Sequence, residues 1–353
     1  MTAPSPPSPE PSEPSLEAIV SQTVGAGFPQ DLASYLPLLA EDLREIDGRL
    51  FDTLHSTYPL LTEAAVYACR FGGKRMRPLL MAVGARALGA TSTRKIDSLA
   101  AAFQLIHTAT LVHDDVIDHA ELRRGRPSVA RAFGLPQAIV AGDFLFVRAF
   151  ELAAEYPRAI IRRCGDSCAD LAEGEVLQEN SRFDLTTGRE HYFRVIERKT
   201  AAIVAAALAS VAEIEGGSPA LVDAFQEYGR SLGVAFQLRD DYLDVYGDPD
   251  LLGKPLYSDF REGNPTLLSL DAYAELSGSA KAEFERLFAL HRKRPRELLR
   301  LRELTERTSA PTRAAQEANE WANRAIAAIR PVPEGPFRLL MVHLAHGAAA
   351  RPY

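Results

Sequence analysis

From Leu16 onward, apolar residues recur every three or four positions along nearly the whole chain, the period of one helical face. Alternating β-branched runs, the mark of strands, are few. The pattern predicts an all-α, single-domain helical bundle spanning residues 16–353. No internal linker divides it, and no repeat is evident beyond a short acidic motif. Residues 1–15 are mostly Pro, Ser and Glu, a composition that cannot bury enough surface to fold, so a disordered tail is expected there. Residues 34–55 read as an amphipathic entry helix, and residues 62–71 as a second one closed by Gly72 and Gly73. A third apolar run leads into Asp114 and meets no helix breaker until Gly125 and Pro127. Residues 135–154 form another helix, in which Gly142 permits close packing. Residues 170–178 carry an acidic face expected at the helix surface or just behind a site. Residues 190–214 form one helix whose alanine-rich part, 201–212, is too short to span a bilayer and should be packed closely by its neighbours. A further apolar run leads into Asp240 and is closed by Gly247 and Pro249. Residues 291–307 are dense in arginine and glutamate, interrupted by Pro295, and read as a solvated helix face.

Chemistry enters with the acidic motif. Asp114, Asp115 and Asp118 have the spacing D-D-x-x-D, and Asp240, Asp241 and Asp244 repeat it. On a helix, the first and last carboxylates of each triplet share a face one turn apart. Both triplets lie near C-terminal helix ends, where the macrodipole disfavours negative charge. A single Asp pair would read as a solvated turn; the recurrence argues against that. Arg123 and Arg124 follow closely enough to supply part of the countercharge. Six oxygen-only donors facing each other across a bundle suit Mg2+, which binds through a few carboxylates and substrate phosphates.

Basic residues surround the triplets. The stretch GGKRMRP (72–78) puts Lys74, Arg75 and Arg77 on a glycine-opened corner where backbone and cations can meet an anion; alone, it would read as an exposed turn. Arg75 has no assigned role and is expected to be solvated. His107 would ordinarily be a satisfied core histidine, but it stands two turns before Asp114. His113 and His119 adjoin the carboxylates but are poor ligands for an oxygen-seeking ion. Lys199 enters a buried apolar segment, which is costly unless the ammonium is paired. The stretch GDPDLLGKP (247–255) imitates a nucleotide-binding loop, yet its spacing is wrong, Pro255 takes the Ser/Thr place and no strand precedes it.

Composition narrows the classes further. The net charge of −7 over 353 residues excludes a general nucleic-acid binder, and 46% apolar residues permit a sizeable core. Three cysteines make no disulfide framework, which fits a reducing compartment. With neither a signal peptide nor a transmembrane segment in view, a cytoplasmic location is expected.

Taken together, the motifs resemble those of the trans-polyprenyl diphosphate synthases. The resemblance runs from about Ala65 to Arg351 and rests on GGKRMRP, HTATLVHDDVIDHAELRRGRP (107–127), Gly142–Asp143, Lys199–Thr200, FQLRDDYLD (236–244) and GKP (253–255). It implies Mg2+-dependent condensation of isopentenyl diphosphate with an allylic diphosphate (dimethylallyl, geranyl or farnesyl) in a helical bundle around a central cavity, of the isoprenoid-synthase type, and a homodimer. It also implies that Lys74, Arg77, His107 and Arg124 hold isopentenyl diphosphate, and that Arg123, Lys199, Thr200, Gln237 and Lys254 hold the allylic partner. Asp114, Asp118 and Asp240 would bind the metal, supported by Asp115, Asp241 and Asp244. The last residues, 322–351, match the family's closing helices, broken at 331–336. Two positions depart from the family loop G-K-P-x-G-x-D-L-x-E-G-K-x-T: Tyr257 stands for a glycine and Asn264 for a lysine. A class I terpene cyclase is a rival reading, opposed by the basic residues for a second substrate. A non-catalytic subunit is another, opposed by two intact triplets. For product length, the stripe Thr110, Ala109, Ile106 and Phe103 serves as a ruler. Phe103 lies about 16 Å below Asp114 along a helix, room for three to four isoprene units and hence C20 geranylgeranyl diphosphate. C15 and longer products stay open, the longer ones if Phe103 only packs in the core.

Overall fold

The computed structural model describes residues 30–70, 75–252 and 255–351. The glycine corner 72–73, Lys74, Lys254 and the expected disordered tail 1–15 lie outside the described residues. Within them, fourteen helices of nine or more residues carry the chain: α1 (Leu36–Asp52), α2 (Pro59–Arg70), α3 (Met76–Ala87), α4 (Asp97–Ile117), α5 (Leu135–Ala153), α6 (Arg158–Ser181), α7 (Gly188–Ile196), α8 (Ala202–Ile214), α9 (Pro219–Tyr246), α10 (Leu267–Glu275), α11 (Gly278–Phe288), α12 (Pro295–Glu306), α13 (Ala310–Ala328) and α14 (Pro336–Ala350). The architecture is all-α, as the periodicity requires. The only strands among the described residues are two of two residues each, β1 (Leu122–Arg123) and β2 (Arg126–Pro127). No described helix is long and apolar enough to cross a membrane.

The two acidic helices lie at the centre of the packing. α4 lies on α5 and α1, while α9 is flanked by α8, α13 and α14. One continuous apolar core runs through them, including Phe103, Ile106 and Ala109 of α4 and Phe225, Tyr228 and Leu238 of α9. A smaller cluster of Ala64, Val112, Val129, Ala138 and Ala141 closes the gap beside α4 and α5.

Proline opens three helices, and at two of them periodicity misplaced the boundary. Pro59 opens α2 three residues before the expected start, and Pro295 opens α12 instead of interrupting it. A ring that lacks an N–H costs nothing in the first turn, where the amide has no intrahelical acceptor. Pro336 likewise opens α14. The long helix expected over residues 190–214 is α7 and α8 joined by a π-helical turn, Glu197–Ala201. Such turns bulge one residue out of register, and this one carries Lys199 and Thr200.

Close packing against the alanine run follows from two glycines on α9. A Cβ on Gly233 would lie 2.6 Å from Ala201 Cα, and one on Gly229 2.7 Å from the Val204 carbonyl oxygen. The helix backbones therefore nearly touch, and the obstruction is backbone that cannot swing aside. Gly233→Ala is expected to destabilise the fold by about 1–3 kcal/mol, the usual cost of overpacking. Urea unfolding measures it.

Candidate active site

The first triplet occupies the last turn of α4. Asp118 is the C-cap; its N–H still reaches the Asp114 carbonyl at 2.8 Å, and the helix then ends in a Schellman arrangement. The Ala120 N–H bonds Asp115 O at 2.9 Å, and His119 takes the left-handed position (φ 52°) usually given to glycine. The chain then turns into the β1–β2 hairpin, with Arg123 opposite Arg126 and a two-residue turn of Arg124 and Gly125, both at positive φ. This hairpin, invisible to helical periodicity, folds Arg123 back onto the triplet. Its Nε and Nη2 both donate to Asp115 Oδ1, at 2.9 and 2.5 Å. Arg123 thus clamps the acidic helix in the resting chain.

The other carboxylates of this triplet face cations as well. Arg182, from the end of α6, donates to Asp118 Oδ1 at 2.8 Å. Lys199 Nζ lies 2.5 Å from Glu175 Oε2 on α6, brought there because Gly174 lets α6 approach the π turn; a Cβ at 174 would lie 2.6 Å from the Lys199 nitrogen. Burial opposes the Lys199 charge, but Asp114 and Glu175 outweigh it and hold its pKa above the ordinary value. Burial likewise pushes the Asp114 carboxyl up to about 6, against the pull of Lys199. Glu175 was expected only at a surface or behind the site; it is the direct partner of Lys199.

The second triplet ends α9. The Arg351 guanidinium donates to Asp240 Oδ1 while stacking on Phe236, its carbon 3.7 Å from the ring centroid. Asp244 Oδ2 accepts from the Asp259 N–H at 3.0 Å. Asp241 accepts from Tyr192 Oη at 2.6 Å and Gln237 Nε2 at 2.8 Å, and Thr200 Oγ1 donates to Gln237 Oε1 at 2.9 Å. Burial raises the Asp241 carboxyl to about 7 despite these donors. The π turn therefore joins the triplets, with Lys199 serving the first and Thr200 the second. Glu262 lies between them, its pKa raised by burial, then by Asp118 and, more weakly, by Asp244.

Beside the acidic mouth is a basic patch. Arg77 is half-buried, and its Nε has no hydrogen-bond partner among the described residues. Burial, then Arg124, lower its pKa to about 10. His107 is held neutral, well below its usual pKa, by burial and then by Arg77 and Arg124. Half-buried Arg77 and His107 beside the exposed Arg124 make a basic place that suits an anion. Arg75 does not belong to this patch and is not solvated. It is buried, with Nε on Asp47 at 2.9 Å and Nη2 on the Cys69 carbonyl at 3.1 Å.

Of the expected metal ligands, Asp114, Asp118 and Asp240 all line this mouth, but the resting side chains do not converge. No three His, Cys, Asp or Glu side chains among the described residues stand close enough to hold an ion. Sequence reasoning missed Arg182, Tyr192, Glu262 and Arg351. Only Tyr192 left a signal, seven residues before Lys199 and so two turns away.

A family model described as Polyprenyl synthetase matches residues 58–305. The chain belongs to the polyprenyl synthetase family. The octaprenyl diphosphate synthase of Escherichia coli (strain K12) is 35% identical over 316 residues, covering 89% of this chain and 97% of that one. The all-trans-nonaprenyl-diphosphate synthase (geranyl-diphosphate specific) of Rhodobacter capsulatus is 32% identical, covering 92% and 98%. The crystal structure of a polyprenyl synthase from Caulobacter crescentus CB15, complexed with calcium and isoprenyl diphosphate, superimposes with a TM-score of 0.85 at 36% identity over 91% of this chain and 98% of that one. The chain is accordingly a chain-elongating trans-prenyltransferase.

Family membership gives the two departures in the 253–266 loop a structural setting. Tyr257 has φ 66°, a left-handed position that glycine takes freely, and its side chain offsets the strain by accepting from Arg302 Nη1 at 3.2 Å and stacking on Phe260. Asn264, in a lysine's place, is buried, and its Nδ2 donates to Glu262 at 3.0 Å and Asp259 at 3.3 Å. A neutral amide thus ties the loop to itself.

Arg77→Met is expected to leave the melting temperature unchanged or raise it, because an incompletely partnered buried cation opposes folding. Inorganic pyrophosphate in EDTA-treated buffer should stabilise the native chain and stabilise the variant much less. Thermal unfolding with and without pyrophosphate decides both.

Proposed function

We propose that the chain extends an allylic diphosphate with isopentenyl diphosphate, using Mg2+ at Asp114, Asp118 and Asp240, and releases a polyprenyl diphosphate longer than C20. One observation carries the reading: the cation-rich patch of Arg77, Arg124 and neutral His107 adjoins two acidic triplets. That pairing supplies separate places for two diphosphates, one held by cations and one through metal. A class I cyclase has no use for the first, and a non-catalytic subunit has none for the triplets.

The donor set fits a hard divalent ion, since every candidate ligand is a carboxylate oxygen. Asp118 and Asp240 moreover carry guanidinium groups where an ion would take over. When bound, Mg2+ supplies countercharge for the departing pyrophosphate. Lys199 and Arg123 add fixed positive charge at the same mouth, with Lys254 expected to join them. The allylic C1–O bond breaks, its electron pair leaves with pyrophosphate, and the isopentenyl double bond attacks C1. A proton then leaves the condensed carbon skeleton for the released pyrophosphate. Arg77, Arg124, His107 and Lys74 hold the attacking partner by its diphosphate, and the apolar walls of α4 and α8 exclude water that would quench the cation.

The C20 expectation gives way to a longer product. Phe103 is fully buried within the main core, where it packs and need not act as a floor. The octaprenyl and nonaprenyl synthases compared above are named for eight- and nine-unit products. Ala109 and Thr110 beneath Asp114 are small, Thr110 turning its hydroxyl onto the His107 carbonyl at 2.8 Å. Eight extended units of roughly 4–5 Å each exceed the ~30 Å length of α4, so a long product runs past this helix. Purified chain with Mg2+, an allylic diphosphate and labelled isopentenyl diphosphate is expected to give products beyond C20 by mass spectrometry. Ala109→Phe should shorten them toward C15. Absence of turnover would refute the reading, and an unchanged distribution would remove α4 as the ruler.

A homodimer completes the proposal. Leu135, Ile139, Val140 and Val147 leave 52, 42, 52 and 56% of their surface exposed on α5, an apolar face directly behind the first triplet. Free cysteines at 69, 164 and 168 fit a cytoplasmic setting. Light scattering should give twice the chain mass, and Val140→Asp with Val147→Asp should shift it to one chain.

A further inference from the structure

We propose that Tyr192 is a positioning residue for prenyl transfer, and that Asp241 serves it as an anchor for Gln237 and not as a metal ligand. The inference rests on the prenyl-transfer reading above. Tyr192 is 5% exposed, and its hydroxyl donates to Asp241 Oδ2 at 2.6 Å. Gln237, one turn earlier on α9, donates its Nε2 to Asp241 Oδ1 at 2.8 Å. Both oxygens of this buried carboxylate are thus engaged by neutral protein donors. Asp240 differs: it accepts from the Arg351 guanidinium, a cation that another cation can replace.

The consequence is directional. With Nε2 donating to Asp241 Oδ1, Gln237 turns Oε1 the other way. There Thr200 Oγ1 donates to it at 2.9 Å. The donors run in one sense, Thr200 to Gln237 to Asp241, and Tyr192 closes the chain from the opposite side. Thr200 adjoins Lys199 in the π turn, so one buried phenol fixes two of the side chains assigned to the allylic substrate, Gln237 and Thr200. Without it, Asp241 would lose a charge-assisted bond and its fixed rotamer, and the amide would be free to turn.

Steady-state kinetics, Mg2+ calorimetry with inorganic pyrophosphate, and thermal unfolding on the full chain test this, using Tyr192→Phe, Gln237→Leu, the double variant and Asp240→Ala. Tyr192→Phe is expected to lower kcat about 10- to 100-fold, the effect of misplacing a positioning group. Its Mg2+ affinity and its KM for isopentenyl diphosphate should stay at wild-type values. The double variant should be no slower than Gln237→Leu alone, because the two act as a unit. The proposal is overturned by wild-type kcat in Tyr192→Phe, by losses that multiply in the double variant, or by a Mg2+ defect matching that of Asp240→Ala. Should Tyr192→Phe fail to fold, Asp241→Asn takes its place, with lower kcat and retained Mg2+ affinity expected; loss of that affinity overturns the proposal. A wild-type chain without turnover sinks the prenyl-transfer reading and this inference with it, whereas wild-type turnover with unchanged variants sinks this inference alone.

Discussion

Carboxylates crowded at the C-terminal ends of α4 and α9 repel one another and the helix dipoles behind them, and much of the surrounding structure answers that charge. Arg123 reaches Asp115 from a hairpin, Arg182 reaches Asp118 from the end of α6, and Arg351 reaches Asp240 from the last described turn of the chain. Lys199 is shared between Asp114 and Glu175. Each cation arrives on a different element, so the resting site is held by contacts that converge from across the sequence. Removing one partner would leave a partly buried charge uncompensated, which costs far more than a surface ion pair contributes.

The basic patch obeys the opposite logic. Beyond the larger effect of burial, Arg124 depresses the pKa of Arg77, both depress that of His107, and Arg123 depresses that of Arg124. A fold that gathers like charges in this way, and leaves Arg77 Nε without a hydrogen bond among the described residues, gives up stability there. The compensation lies in binding, because a diphosphate meets cations already gathered in one place. Acidic and basic halves of one mouth therefore prepare for two anions by different means.

Backbone geometry supplies the precision. Gly174, Gly229 and Gly233 bring α6 and α9 against the π turn and the alanine run, so that adjacent residues Lys199 and Thr200 serve different triplets. An ordinary helical turn would hold the same two residues in a different register. Left-handed residues at His119, Arg124 and Tyr257 mark where the chain must reverse sharply beside the site, and their conformations are maintained by the Schellman bonds, the β1–β2 hairpin and the Arg302 contact.

Helical period, the twice-written D-D-x-x-D and the cationic stretches were sufficient, from sequence alone, to determine an all-α chain with an acidic, phosphate-directed chemistry, because spacing along a helix translates directly into shared faces. Sequence also located Lys199 correctly as a charge that needed a partner. It could not say which partner, since Glu175 stands on another helix in what reads as an ordinary solvated face. Arg75 shows the converse: beside Lys74 and Arg77 it reads as one more exposed cation, yet its left-handed backbone turns it inward onto Asp47. The roles of Arg182, Arg351 and Tyr192 were decided only by tertiary structure. Their partners lie between 49 and 111 residues away along the chain, and no local pattern encodes a contact that exists only once the bundle has closed.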